Sequence, residues 1–294
     1  TEEGGQDSPP WVHVAFTFGG ASSEEVVGSF YINGEYVPEN EAKVSIMDRG
    51  YLFADGVYEV SAVINGKMVD NDRHLLRLER SLGELDMKSP LPVDEIEKIQ
   101  IELIERNGLQ EGIIYLQITR GVAERDFLWP EDISPILTMF TQEKKLLQPP
   151  LAGKGASIIT VPDIRWQRRD IKSVALLAQA MAKHAARKAG ADDAWMVDNG
   201  YVTEGTSTNA FIVTMDGTLV TRDLTNKILH GVTRRAVLRL AEEAQLPIEE
   251  RPFKPEEAYD AVEAFATGSS FFVLPVVEID GHVLSNRAPG PLTN

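Results

Sequence analysis

The sequence predicts an α+β protein of two domains, and three observations carry that prediction. Asn-Gly or Asp-Gly pairs recur at 33–34, 65–66, 199–200, 216–217 and 280–281, most of them flanked by strand-forming residues, and such pairs are strong hairpin signals. In both halves these hairpins are interrupted by segments whose apolar residues recur three or four apart, the period of an amphipathic helix. Between the halves, residues 142–155 hold two prolines, two glycines and little to bury, which marks a boundary. The chain therefore reads as an extension of unassigned role (1–28), a small domain (29–145), a linker (146–155) and a larger domain (156–294).

In order, residues 1–10 are polar and expected to be mobile, and 11–18 are apolar enough for a strand. Residues 30–37 and 57–69 form the first two hairpins. Leu75, Leu78, Leu82 and Leu85 then define one face of a helix that Pro90 and Pro92 end. Ile96, Ile99, Leu103 and Ile104 define a second, closed by Asn107-Gly108 as a C-cap. Residues 113–119 and 136–141 read as buried strands around a loop, 120–135, that holds Arg125, Phe127 and Trp129. The second half opens with a strand at 156–161, and an alanine-rich helix is predicted over 174–188, stopping at Gly190. Hairpins at 194–202 and 210–221 follow, then a helix from Gly231 to Gln245 and a short one begun by Pro255 as an N1 proline. A strand at 264–267, the turn Gly268-Ser269-Ser270 and a last hairpin complete the chain.

Composition bounds the function. With 43% apolar and 25% charged residues the chain is an ordinary globular sequence. A net charge of −16 argues against a nucleic-acid partner or an anionic membrane, either of which needs a basic face. The absence of cysteine removes disulfides, thiolate metal sites and a thiol nucleophile, and fits a cytoplasmic enzyme. No apolar run approaches the roughly 18 residues of a membrane span.

The chemistry concentrates in residues 163–209. Lys172 follows Arg165, Arg168 and Arg169 at the edge of an apolar run. An isolated lysine is ordinarily a surface group, but one crowded by cations and apolar side chains can act as a nucleophilic amine. Glu204 precedes a hydroxyl block, Thr206-Ser207-Thr208, where a carboxylate is ordinarily a turn device and otherwise a partner for a protonated ring nitrogen. Gly231-Val232-Thr233 heads a helix, where free N–H groups favour an anion, and Ser269 and Ser270 offer further donors. A lysine, a carboxylate and two anion cups on one domain match the needs of pyridoxal 5′-phosphate.

With those residues in view, the chain resembles the fold-type IV pyridoxal-phosphate aminotransferases, and within them the D-amino-acid transaminases. The likeness rests on residues 47–60 (MDRGYLFADGVYEV), 74–78 (HLLRL), 119–121 (TRG), 163–173 (DIRWQRRDIKS), 202–205 (VTEG), 229–234 (LHGVTR) and 275–281 (PVVEIDG), in the family's order and spacing. It implies a small and a large domain with the cofactor between them, in a homodimer whose pocket spans the interface. It implies Lys172 as the Schiff-base lysine and proton shuttle, and Glu204 at the pyridine nitrogen. Arg77, Thr233, the Val232 amide and Ser269 would grip the phosphate. Ser207, Thr208 and Ser270 would join the cofactor contacts, and Leu229 would pack beneath the ring. Tyr58, Arg125 and Phe127 would line the substrate pocket, while His74 reads as a packing residue.

Departures from the family pattern shape the expectation for substrate. Where D-amino-acid transaminases often carry Arg-x-His in the 120s loop, this chain has Arg125 and Phe127. Gly268 stands where a serine is common, and the usual final helix has no counterpart before Asn294. The leading expectation is amino transfer from a D-amino acid, D-alanine foremost, to 2-oxoglutarate or pyruvate. The alternative is an (R)-selective amine transaminase whose donor lacks a carboxylate. Branched-chain aminotransferase and aminodeoxychorismate lyase rank below these because the Arg125 loop does not resemble theirs. A non-enzymatic module using the anion cups alone is the reading from another class.

Overall fold

The computed structural model describes residues 28–293. The readings for residues 1–10 and 11–18 lie outside it. The first half contains β1 (Ser29–Ile32), β2 (Glu35–Pro38), α1 (Arg49–Phe53), β3 (Gly56–Ile64), β4 (Lys67–Met68), α2 (Asn71–Glu84), α3 (Val93–Arg106), β5 (Glu111–Thr119) and β6 (Ile136–Glu143). Its six strands form one antiparallel sheet in the order β2-β1-β6-β5-β3-β4. The apolar stripes of α2 and α3, including Leu75, Leu78, Leu82, Ile96 and Leu103, bury against Ile114, Leu116, Ile118, Leu137 and Met139 of that sheet.

The second half contains β7 (Ala156–Pro162), α4 (Leu177–Lys188), β8 (Asp193–Asp198), β9 (Tyr201–Gly205), β10 (Asn209–Val213), β11 (Leu219–Thr221), α5 (Val232–Glu243), β12 (Ile248–Glu250), α6 (Pro255–Tyr259), β13 (Glu263–Gly268), β14 (Phe272–Ile279) and β15 (His282–Val283). These strands build a mixed nine-stranded sheet ordered β12-β11-β10-β13-β14-β7-β8-β9, with β15 on β14. Its pairs are antiparallel except β7–β8, β7–β14 and β11–β12. Small residues let α4 lie close to the sheet, Ala182 and Ala186 meeting Ala194 and Met196. The core beside α5 centres on Phe211 and Phe265, whose rings stack at 4.7 Å and 7°.

The hairpin signals are realised as left-handed pairs, φ being +51° at Asn65 with +70° at Gly66, and +52° at Asn199 with +80° at Gly200. Both central residues of a type I′ turn need that conformation. Asn107 and Gly108 close α3, with Gly108 at φ +59°.

Three elements differ from the sequence expectation. The alanine-rich helix begins at Leu177, not at residue 174, because the preceding backbone is spent elsewhere: the Val174 N–H donates to Gly56 O at 3.0 Å and Ser173 bridges to Val57. The five-residue α1 has no counterpart in the sequence reading, being too short for periodicity to register; Asp48 caps it by accepting from Gly50 N at 2.7 Å. Strand β12 is three residues long and alternates poorly, so only its parallel pairing with β11 defines it.

The join between α2 and β3 is ionic. Glu59 is buried on β3 and accepts from Arg77 Nε at 2.8 Å and Nη2 at 2.7 Å, with His74 Nδ1 at 2.7 Å. Burial pushes the Glu59 carboxyl up, but the Arg77 charge and hydrogen bonds, with those of His74, outweigh it and hold the group at about 2. A carboxyl held below its unfolded value of 4.5 contributes stability above that pH, and loses it as pH falls toward about 2. We expect Glu59→Gln to cost about 3 kcal/mol at neutral pH by stranding Arg77, and the stability difference from the parent to shrink between 4.5 and about 2 in urea titrations at stepped pH. A difference unchanged across that window would remove the ionic account.

Candidate active site

The backbone positions the lysine before any side chain does. Residues 163–176 leave β7 without regular structure, and Lys172 O accepts from Tyr58 N at 3.0 Å while Val174 N donates to Gly56 O at 3.0 Å. The loop is thus stitched to the start of β3. Lys172 Nζ lies 4.2 Å from the centroid of the Tyr58 ring. Tyr58 in turn stacks on Tyr115 at 5.5 Å, and Tyr115 on Phe140 at 4.8 Å, so the ring beneath the amine belongs to a packed row. The cavity around Lys172 lies between the two sheets and is walled by Tyr58, Arg77, Glu204, Leu229, the start of α5 and the β13–β14 turn.

Glu204 stands on β9 at one end of this cavity and is buried. Arg165 Nη1 donates to its Oε1, Asn209 Nδ2 donates to Oε2 at 3.1 Å, and the Leu229 N–H reaches both oxygens at 3.1 and 3.2 Å. Burial pushes the Glu204 carboxyl up, against the pull of Arg165 and the Leu229 amide. Three donors thus hold the carboxylate, the Leu229 N–H shared between its two oxygens, and Glu204 lines the cavity.

The other end collects groups that suit an anion. Arg77 lines it, with Glu59 and the His230 carbonyl (Nη1 to O, 2.9 Å) fixing its guanidinium. Val232 and Thr233 open α5, whose first N–H groups have no intrahelical acceptor. Gly231 precedes them; a Cβ there would lie 2.0 Å from Asn209 Oδ1, so only glycine admits this approach. Ser207, Thr208, Ser269 and Ser270 line the same wall, and Ser269 Oγ lies 3.4 Å from His74 Nε2. Thr208 Oγ1 and Thr267 Oγ1 are buried on the cavity wall with no hydrogen-bond partner among the described residues. An amine, an acceptor carboxylate and an anion cup with unpartnered hydroxyls together fit pyridoxal 5′-phosphate.

Of the site residues expected from the sequence, all but two meet at this cavity. Arg125 and Phe127 do not: both are exposed on the loop 120–135, and neither lines the cavity. The base of that loop is rigid nonetheless. Arg49 and Arg120 share Asp55 at 2.8 Å each, and Arg49 Nη1 also donates to Asp126 O at 2.6 Å. The dense 47–60 motif therefore supports the loop and the start of β3. Sequence reasoning gives no role to Glu59 or Asp163, and counts Arg165 only among the cations near Lys172, whereas the structure pairs it with Asp163 and Glu204. The available signals are the acid placed next to Tyr58 on an alternating strand, and the Asp-x-Arg spacing at 163–165.

The chain matches the family model described as amino-transferase class IV over residues 56–279. It is 37% identical to the D-alanine aminotransferase of Staphylococcus aureus over 264 residues, covering 90% of this chain and 93% of that one. It is 39% identical to the D-alanine aminotransferase of Bacillus licheniformis, covering 89% and 92%. Among solved structures, the branched-chain aminotransferase of the thermophilic archaeon Thermoproteus uzoniensis with norvaline superposes with a TM-score of 0.81 at 29% identity, covering 90% of each chain. The fold, a cavity suited to pyridoxal 5′-phosphate and these matches agree, and the chain belongs to the class IV, fold-type IV aminotransferases.

Proposed function

We propose that this aminotransferase moves the amino group of a D-amino acid, D-alanine foremost, to a 2-keto acid such as 2-oxoglutarate or pyruvate, as a homodimer in the cytoplasm. The observation that carries the donor is the 37–39% identity to D-alanine aminotransferases over nine-tenths of the chain. The branched-chain enzyme shares the fold at lower identity and supports the fold alone. When bound, pyridoxal 5′-phosphate supplies an electron sink for the bond broken at the substrate Cα.

The chain's own residues do the rest. Lys172, its Nζ set over Tyr58, would hold the cofactor and carry the proton that leaves and returns at the substrate. Glu204 would face the ring nitrogen, and Leu229 would line the ring's place in the cavity. Arg77, the Val232 and Thr233 amides, Thr233 and Ser269 hold the phosphate, with Ser207, Thr208 and Ser270 completing the wall.

The substrate carboxylate needs charge-assisted donors, since a buried carboxylate left unpaired costs several kcal/mol. Arg125 supplies them from the second subunit of a dimer, together with Tyr58 from the first. Phe127, where a histidine is common, favours the second reading: with one donor fewer and an aryl wall, the pocket suits an (R)-arylalkyl amine.

Lys172→Ala should abolish nearly all turnover, and borohydride should fix the cofactor to Lys172 in the parent. Peptide mapping of the reduced protein checks this, and an adduct on another lysine would end the assignment.

Arg125→Ala should depress kcat/KM for D-alanine by on the order of a hundredfold, about 2.7 kcal/mol, and leave (R)-1-phenylethylamine nearly unchanged. Phe127→His should shift the ratio back toward D-alanine. Equal loss with both donors after Arg125→Ala would make that arginine structural.

A further inference from the structure

Beyond Glu204, a row of alternating charges runs from the cavity to the surface. Arg165 Nη1 meets Glu204, while its Nε and Nη2 donate to Asp163 at 3.0 and 2.7 Å. The Asp163 side chain is fully buried and also accepts from Thr203 Oγ1 at 2.7 Å, with Arg169 Nε at 3.3 Å. Arg169 Nη1 then donates to Asp198 at 3.0 Å, and Asp198 meets Lys227 Nζ at 2.6 Å near the surface. Arg165 offsets much of the charge of Glu204, so the pair attracts a protonated ring nitrogen less than a free carboxylate would. Asp163 lies one guanidinium away and offsets Arg165 in turn, with Arg169 beyond it.

We infer that Asp163, acting through the Arg165 fork, is a positioning residue that keeps the cofactor's ring nitrogen protonated. This rests on the reading that Glu204 faces that nitrogen. A buried carboxylate and guanidinium interact through a low effective dielectric, so a charge one group removed is felt as a proton-affinity change and not screened away. The other groups facing Glu204 are Arg77 from α2, Lys172 from the loop after β7, and the uncharged Asn209 amide and Leu229 N–H. Arg77 is already neutralised by Glu59. The fork geometry makes Arg165 specific: its planar donors satisfy two carboxylates at once, which a lysine ammonium cannot do with fixed angles. Removing Asp163's charge leaves Arg165 and Arg169 with Glu204 alone in the buried part of the row, a net positive change that lowers the ring nitrogen's proton affinity.

The test uses the holoenzyme loaded with ring-15N pyridoxal 5′-phosphate and follows the ring-nitrogen NMR signal against pH. Asp163→Asn should move that signal toward neutral pyridine and lower its midpoint by about one pH unit. Cofactor content and far-UV circular dichroism should stay at parental values, which a merely structural role would not give. Glu204→Gln is the control for the underlying reading: an unchanged signal there removes Glu204 from the ring nitrogen, whereas a shift in Glu204→Gln with none in Asp163→Asn overturns the present inference alone. Should Asp163→Asn fail to fold, Asp198→Asn, nearer the surface, should shift the signal in the same direction by less, and no shift overturns the inference.

Discussion

Two backbone hydrogen bonds, between Tyr58 N and Lys172 O and between Val174 N and Gly56 O, fix where the Lys172 amine can be. A lysine side chain is long and carries up to about 2 kcal/mol of rotamer entropy, so its tip is only as well placed as its Cα. Pairing with β3 supplies that placement, and β3 serves the site on both faces because successive side chains alternate. Tyr58 turns its ring to the amine, while the next residue, Glu59, turns toward α2 and grips Arg77. Gly56 opens the strand where a Cβ would lie 2.9 Å from Ile118 O, so the close approach of β5 excludes any larger residue. One strand thereby sets the distance between the amine end and the anion end of the cavity.

Charge burial follows from this arrangement. The side chains of Arg77, Glu59, Glu204, Arg165 and Asp163 are nearly excluded from water, and each is paired. Buried ion pairs return little net stability, since desolvating both partners offsets most of their attraction. What they give is direction. Glu59 takes two of the Arg77 donors and His230 O a third, so the remaining N–H groups aim into the cavity. Glu204 is held by three donors in the same way, with the Leu229 N–H shared between its two oxygens. Groups held like this need no reorganisation when a charged ligand arrives, which is the basis of electrostatic preorganisation.

Periodicity and turn chemistry make most of this fold legible. The hairpins, the amphipathic stripes of α2 and α3 and the glycine caps are local, and local signals are what a sequence displays. The start of α4 is not legible, because alanine propensity cannot reveal that Ser173 and Val174 are claimed by β3, a partner more than a hundred residues away. The site divides along the same line. Lys172, Glu204 and the α5 N-terminus stand out by residue type and context, whereas Glu59, Arg165 and Asp163 acquire meaning only once tertiary contacts show what each one grips.

The loop carrying Arg125 and Phe127 presents both side chains to solvent, outside the cavity around Lys172. Phe127 is 81% exposed and Leu128 80%, and Tyr51 of α1 is 74% exposed. Each such side chain gains roughly 1.5–3 kcal/mol when fully buried, so a surface that keeps several exposed is suited to a partner. The base of the loop is tied down by ion pairs and by Arg120 stacked 4.0 Å over Trp129. Rigid support beneath an apolar tip is unnecessary for a solvated loop and useful for one that must present an arginine at a fixed place. In the homodimer proposed above, substrate recognition and assembly would then draw on the same residues. Donor preference would be a property of that proposed interface as much as of the cavity that holds Lys172.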